Sequence, residues 1–228
     1  MEKSTIRIGN RSASIYRTAS SIDCPIIYTQ LSSEVAETIA ELLTDTGVVL
    51  VALEDVDWER DLSPWPTAKA FRSGNDFTGG ADAYLKDLTE MIVPAVEELL
   101  DIVPAYRGIV GYSLAGLFSI YALYRTTLFS RAASVSGSLW YDGFLDYLKA
   151  NSPILLPDRV YFSLGDRERE VRNPRLAAVE ACTSEAEKYF QALGAKTIFE
   201  LNPGNHFTYV PERIAKAIIW LCKDESLK

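Results

Sequence analysis

The run Val48–Leu53, VVLVAL, is an unbroken stretch of apolar residues rich in β-branched side chains. A strand with one face in water alternates apolar and polar residues, so an unbroken run predicts a strand covered on both faces. Such strands belong to parallel sheets, whose crossovers lay helices on each side.

The rest of the chain supplies those crossovers. Short apolar segments predict strands over Pro25–Thr29, Arg107–Gly111, Ala132–Ser136, Val160–Leu164 and Thr197–Leu201. Ile6–Ile8 and Ser14–Tyr16 predict two short strands turning at Gly9-Asn10. Helical spacing of apolar residues predicts a helix over Glu34–Leu43, with Val35, Ile39, Leu42 and Leu43 inward and Gly47 ending it. A second covers Ala81–Leu100, with Tyr84, Leu88, Met91, Ile92, Val96 and Leu99 inward and a bend at Pro94. Further helices are expected over Leu114–Tyr124, Asp142–Leu148, Leu176–Leu193 and Pro211–Cys222. The segment Glu54–Gly80 is a long loop, and loops of that length inside a compact domain are usually functional or disordered; its tryptophans argue against disorder. The expectation is an α/β fold with a mostly parallel central sheet, helices on both faces, and one domain over residues 1–228. Sites in such sheets lie beyond the carboxyl ends of the strands.

Composition narrows the partners. The 228 residues carry a net charge of −8 and no cluster of Lys and Arg, so neither nucleic acid nor an anionic membrane is an expected partner. No apolar run approaches the roughly 20 residues of a membrane span, and the N-terminal MEKSTIRIGNRSAS lacks the apolar core of a signal peptide. Cys24, Cys182 and Cys222 are odd in number and match no zinc spacing. They read as reduced thiols in a cytoplasmic protein, with Cys182 and Cys222 buried on helical stripes. No metal and no organic cofactor is expected, and the sequence carries no signal of oligomeric state.

Chemistry concentrates at Gly111-Tyr112-Ser113-Leu114-Ala115-Gly116. A strand ends, a turn of small residues carries a serine, and a helix begins at once. This is the strand–turn–helix context of a G-x-S-x-G nucleophile elbow, with Ala115 in the last glycine's place. The tight turn would expose the Ser113 hydroxyl above the sheet and point the Leu114 N–H at a developing oxyanion. A serine needs a base, and the one histidine, His206, stands in the loop after the last expected strand, where the order nucleophile–acid–histidine requires it. The acid is expected after Val160–Leu164, where Asp166, Glu168 and Glu170 all qualify on chemistry alone.

At these residues the sequence resembles the putative-esterase family of α/β-hydrolases, which includes esterase D-type S-formylglutathione hydrolases, feruloyl esterases and siderophore trilactone esterases. The resemblance runs from about Val48 to Leu221. It rests on Arg60-Asp61-Leu62-Ser63-Pro64-Trp65, Gly79-Gly80-Ala81-Asp82-Ala83-Tyr84-Leu85, Gly111–Leu123, Ser136-Gly137-Ser138-Leu139-Trp140-Tyr141-Asp142 and Gly204-Asn205-His206. It implies an α/β-hydrolase fold and a serine hydrolase acting on small-molecule carboxylic esters through an acyl-enzyme. It also implies Glu168 as the acid, a second oxyanion N–H near Glu54 or Asp55, Arg60 lining the site and Trp140 walling the acyl or alcohol pocket. The branch most resembled is that of siderophore trilactone esterases, with hydroxycinnamoyl esters a related possibility. In that setting an Arg60 guanidinium would hold a substrate oxygen, with Trp58, Trp65 and Trp140 as flat walls; alternatively Arg60 pairs with Asp57 or Asp61 and the tryptophans fill core. Two rival functions share the fold: an acyltransferase that passes the acyl group to an alcohol or sugar, and a non-catalytic binding module. Competing acceptors discriminate the first, and a fluorophosphonate probe the second.

Overall fold

The computed structural model describes residues 1–18, 24–70 and 74–223. In chain order the strands are β1 (Glu2–Ile8), β2 (Arg11–Arg17), β3 (Ile26–Gln30), β4 (Val49–Leu53), β5 (Pro66–Thr67), β6 (Phe77–Thr78), β7 (Arg107–Tyr112), β8 (Arg131–Val135), β9 (Arg159–Gly165) and β10 (Lys196–Asn202). The helices are α1 (Ser33–Leu42), α2 (Trp58–Asp61), α3 (Ala81–Asp87), α4 (Val93–Leu100), α5 (Leu114–Ala122), α6 (Phe144–Ala150), α7 (Pro174–Ala177), α8 (Val179–Leu193) and α9 (Val210–Cys222). A π-helical turn, Leu88–Ile92, joins α3 to α4.

Eight strands form one sheet in the order β1-β2-β4-β3-β7-β8-β9-β10. Both pairings of β2 are antiparallel, and every pairing from β4 onward through β3, β7, β8, β9 and β10 is parallel. The apolar run explains itself here. Val49, Val51 and Leu53 of β4 join the core that holds α3, α5, α6 and α8, while Leu50 and Ala52 join the core under α1 and α9. Alternation is present, but both faces are dry.

Several expected faces shift. The buried row of α1 is Ala36, Ile39, Ala40 and Leu43, spaced i, i+3, i+4 and i+7, so Leu42 points to solvent. Gly47, at φ +67°, closes the turn before β4 and does not cap α1, which ends at Leu42. Before Pro94, the Val93 N–H reaches back five residues to the Leu88 carbonyl. Pro94 itself has no N–H to give. The wider π turn advances the downstream face, so Tyr84, Leu88, Ile92 and Val96 are buried while Met91 and Leu99 are exposed.

Two other helices differ from expectation. The helix expected over Leu176–Leu193 is broken at Ala178 into α7, capped by the Asn173 side chain, and α8. In α8 the buried row is Val179, Thr183, Ala186 and Phe190, which leaves Cys182 on the flank. Cys182 and Cys222 are therefore half-buried, and only Cys24 is fully buried.

The N-terminal hairpin is longer than its apolar residues suggest, with seven residues in each strand. The loop after β4 carries α2 and the β5–β6 pair, with residues 71–73 outside the described set. It is braced from within. The Ser63 Oγ accepts the Gly79 N–H at 2.9 Å, and the Arg60 carbonyl accepts the Gly80 N–H at 2.8 Å. A Cβ on Gly79 would lie 2.7 Å from the Trp65 backbone, so this close crossing requires glycine. Among the described residues, no helix is long and apolar enough to cross a membrane.

Candidate active site

At the carboxyl end of β7, Ser113 takes φ +58° and ψ −120°, then α5 begins with Leu114. That conformation is sparsely populated by residues with a Cβ and persists where the surroundings over-determine it. Here the Ser113 N–H donates to the Val135 carbonyl at 3.0 Å, and the Ser113 carbonyl accepts from Gly116, Leu117 and Ser138. Gly111 has no alternative, because a Cβ there would sit 1.9 Å from the Ala115 carbonyl oxygen. Ala115 fits in the elbow's last position, fully buried. Leu114, as the first helical residue, has an N–H without an intrahelical acceptor, and it points out of the N-terminus beside Ser113.

His206 arrives from the turn after β10. The Asp166 carboxylate accepts the Gly204 N–H at 2.9 Å, the Asn205 side chain accepts the Phe207 N–H at 3.0 Å, and the Tyr112 hydroxyl donates to the His206 carbonyl at 2.5 Å. So held, His206 places Nε2 3.2 Å from Ser113 Oγ and Nδ1 2.8 Å from Glu168 Oε2.

Glu168 follows β9, three residues past Gly165. Its Oε1 accepts the Gly165 N–H at 2.5 Å and the Ser136 hydroxyl at 2.5 Å. Arg213, from the inward face of α9, donates its Nη2 to the same oxygen at 3.2 Å and to Ser136 Oγ. The Glu168 side chain is only 4% exposed. Burial pushes its carboxyl up, but the hydrogen bonds from His206, Gly165 and Ser136 outweigh that and hold it below the usual carboxylate range. Of the three acidic residues expected after β9, only Glu168 meets His206; Asp166 braces the histidine turn and Glu170 is exposed.

Two cavities meet at Ser113. One of about 480 Å³ is lined by His206, Glu168, Val171, Leu176, Val179 and Phe207. The other, of about 80 Å³, is lined by Trp58, Glu59, Lys69, Asn75, Phe77 and Leu114. Ser113, Ser138 and Trp140 line both. Trp140, shared by both linings, carries the Arg175 guanidinium 5.0 Å over its ring.

Three expected site residues lie outside the linings of both cavities. Arg60 lines neither cavity. Its guanidinium is half-exposed and engaged by Asp61 at 2.9 Å and Asp57 at 3.7 Å, because the buried Asp61 draws in both Arg60 and Arg11. Asp55 lines neither cavity either; it sits at φ +58° past β4 with its carbonyl accepting from Arg11 Nη1. Trp65 packs against Tyr141, Phe144 and Tyr147 and donates its indole N–H to the Asp142 carbonyl, so it fills core and is no pocket wall. Sequence reasoning missed Ser136 and Arg213. The available signal was Arg213 itself, a charge set among Ile214, Ala217 and Ile218 on an apolar helix face.

Comparison with known proteins gives the family. The model of the family described as Putative esterase matches residues 24–214. An uncharacterized protein of Bacillus subtilis (strain 168), YbbA, is 29% identical over 234 residues, covering 94% of each chain. An IroE-like serine hydrolase from Shewanella oneidensis superposes with a TM-score of 0.82 at 19% identity, covering 100% of this chain and 82% of that one. The siderophore hydrolase EstA of Aspergillus nidulans superposes with a TM-score of 0.74 at 18% identity, covering 97% and 93%. With an eight-stranded, mostly parallel sheet and an elbow at the end of β7, the chain has the α/β-hydrolase fold and belongs to the Putative esterase family, carboxylic ester hydrolases.

Proposed function

We propose that this protein hydrolyses carboxylic esters with Ser113 as nucleophile, His206 as general base and Glu168 as the acid that orients it. The observation that carries the reading is the unbroken chain from Ser113 Oγ through His206 to Glu168, at 3.2 and 2.8 Å. His206 Nε2 takes the Ser113 proton as Oγ attacks the ester carbonyl carbon. The Leu114 N–H receives the oxyanion. His206 then gives the proton to the departing alkoxide, and water hydrolyses the acyl-enzyme through the same base.

Siderophore trilactones and hydroxycinnamoyl esters enter the first substrate panel as bulky-acyl esters to set against short acetyl esters, because siderophore hydrolases share this fold. Arg60 gives them no clamp, since its charge is spent on Asp61 and Asp57 outside both cavities.

The test pairs a fluorophosphonate probe with p-nitrophenyl acetate. Wild-type protein is expected to be labelled once, at Ser113, and to turn over. Ser113→Ala is expected to fold and do neither. A folded, active alanine variant overturns the reading.

A further inference from the structure

We propose that the protein divides its ester between the two cavities, the alcohol half in the large apolar one and a short acyl half in the small one. The substrate class is then a short-chain acyl ester of a bulky, apolar or aromatic alcohol. The inference rests on the reading of Ser113 and His206 as nucleophile and base.

The division follows from where the catalytic atoms face. His206 lines only the large cavity and Leu114 only the small one, while Ser113 lies on their boundary. In the tetrahedral intermediate the carbonyl carbon carries Oγ, the oxyanion, the acyl substituent and the alcohol oxygen. The oxyanion is drawn to the Leu114 N–H. The alcohol oxygen has to lie within hydrogen-bond reach of His206 Nε2, because that nitrogen returns the proton as the C–O bond breaks. It therefore points into the large cavity. The acyl substituent diverges from it and is left with the small cavity, which shares Trp140 with the large one.

The walls agree with those assignments. The large cavity offers Val171, Leu176, Val179 and Phe207, and its one carboxylate, Glu168, is already engaged by His206, Ser136 and Arg213. Such a lining fits an aromatic or branched alcohol and offers few polar partners. The small cavity is walled by Trp58, Phe77 and Trp140 and carries Glu59, Lys69 and Asn75, which suits a short acyl group and tolerates a polar one. Volumes of about 480 and 80 Å³ set the order of size. Once the alcohol leaves, the large cavity also gives water a path to His206. The water loses its proton to Nε2, its oxygen bonds to the acyl carbon, and Ser113 Oγ departs with that proton.

The test uses the full chain and two ester series, followed by acid release. The acyl series is p-nitrophenyl acetate, butanoate and octanoate. The alcohol series is ethyl, benzyl and naphthylmethyl acetate. Octanoate is expected to fall below acetate in kcat/KM by about ten-fold or more, and naphthylmethyl acetate to exceed ethyl acetate by about ten-fold or more, the scale of fit in an apolar pocket.

Two variants locate the effect. Leu176→Trp fills the large cavity and lowers the naphthylmethyl-to-ethyl ratio, with the octanoate-to-acetate ratio unmoved. Trp58→Ala opens the small cavity and raises the octanoate-to-acetate ratio, with the alcohol ratio unmoved. Flat series, or variants that move the opposite ratios, overturn the division while ester hydrolysis stands. Wild-type protein that is neither labelled by fluorophosphonate nor active on any of these esters overturns the catalytic reading and the division together.

Discussion

Arg213 reaches the oxygen of Glu168 that His206 leaves free: Nη2 lies 3.2 Å from Oε1, while His206 Nδ1 lies 2.8 Å from Oε2. The carboxylate thus sits between a permanent cation and the imidazole. Arg213 and Glu168 side chains are 3% and 4% exposed, so neither charge has water to fall back on.

Removing one partner of such a pair leaves the other buried and uncompensated. Arg213→Met is expected to lower unfolding stability by about 3–5 kcal/mol. Arg213→Lys recovers part of the loss, because an ammonium keeps the charge but lacks the planar fork. Urea denaturation of the three proteins checks this; equal midpoints would show that the pair carries no stability.

The three carboxylates after β9 have separate expected phenotypes. Glu168→Gln cannot stabilise the imidazolium or hold its tautomer, and turnover is expected to fall by about 10³- to 10⁴-fold. Asp166→Asn weakens the brace on Gly204 and lowers turnover far less, with His206 chemistry intact. Glu170→Gln, at an exposed position, leaves kcat/KM unchanged. The largest loss at Asp166 or Glu170 would reassign the acid.

The contrast among these residues shows what the sequence could reveal. Ser113 and His206 were legible because the elbow has a local signature and the chain has one histidine. Glu168 was not separable from Asp166 and Glu170 on chemistry, since all three carry a carboxylate within five residues. Burial and the Gly165 N–H set which of them meets His206, and both are tertiary facts. The central strands were legible as apolar runs. The edge strand β1 was legible only over Ile6–Ile8, because the rest of its EKSTIRI faces water and carries little apolar signal. Met91 and Leu99 were misplaced because a π turn adds a residue that no 3.6-residue period contains. Arg60 was open between lining the site and pairing with Asp57 or Asp61, because its ion pairs depend on Asp61 being buried, which spacing does not reveal.

The depressed carboxyl of Glu168 makes stability depend on pH. A carboxyl whose folded value lies below its unfolded value binds its proton more readily when unfolded, so folding favours the ionised form. That contribution is fully present above the ordinary glutamate value of 4.5 and is lost as pH falls through the lower folded value. Asp61 and Glu200 are lowered in the same direction. Glu168→Gln is therefore expected to flatten the fall in urea midpoint between about pH 5 and pH 3 without abolishing it. A variant with the wild-type slope would show that Glu168 is not held ionised by its partners.

The elbow itself gives the last prediction. Ser113 is held at φ +58°, ψ −120°, where a Cβ is crowded by the backbone. Conformations of this kind cost about 1–3 kcal/mol each. Ser113→Ala keeps the Cβ and hence the strain; Ser113→Gly removes it, though glycine gives back part of the gain through a more flexible unfolded chain. The glycine variant is expected to be the more stable of the two by about 1 kcal/mol, with both inactive. Since the two differ only in the Cβ, the comparison isolates backbone strain from the lost hydroxyl. Denaturation midpoints with equal m-values measure it. A glycine variant no more stable than the alanine variant would mean that the strain does not exceed the unfolded-state cost of glycine, about 0.4–1 kcal/mol. In that case the hydrogen bonds of Val135, Gly116, Leu117 and Ser138 hold the exposed hydroxyl at little backbone cost.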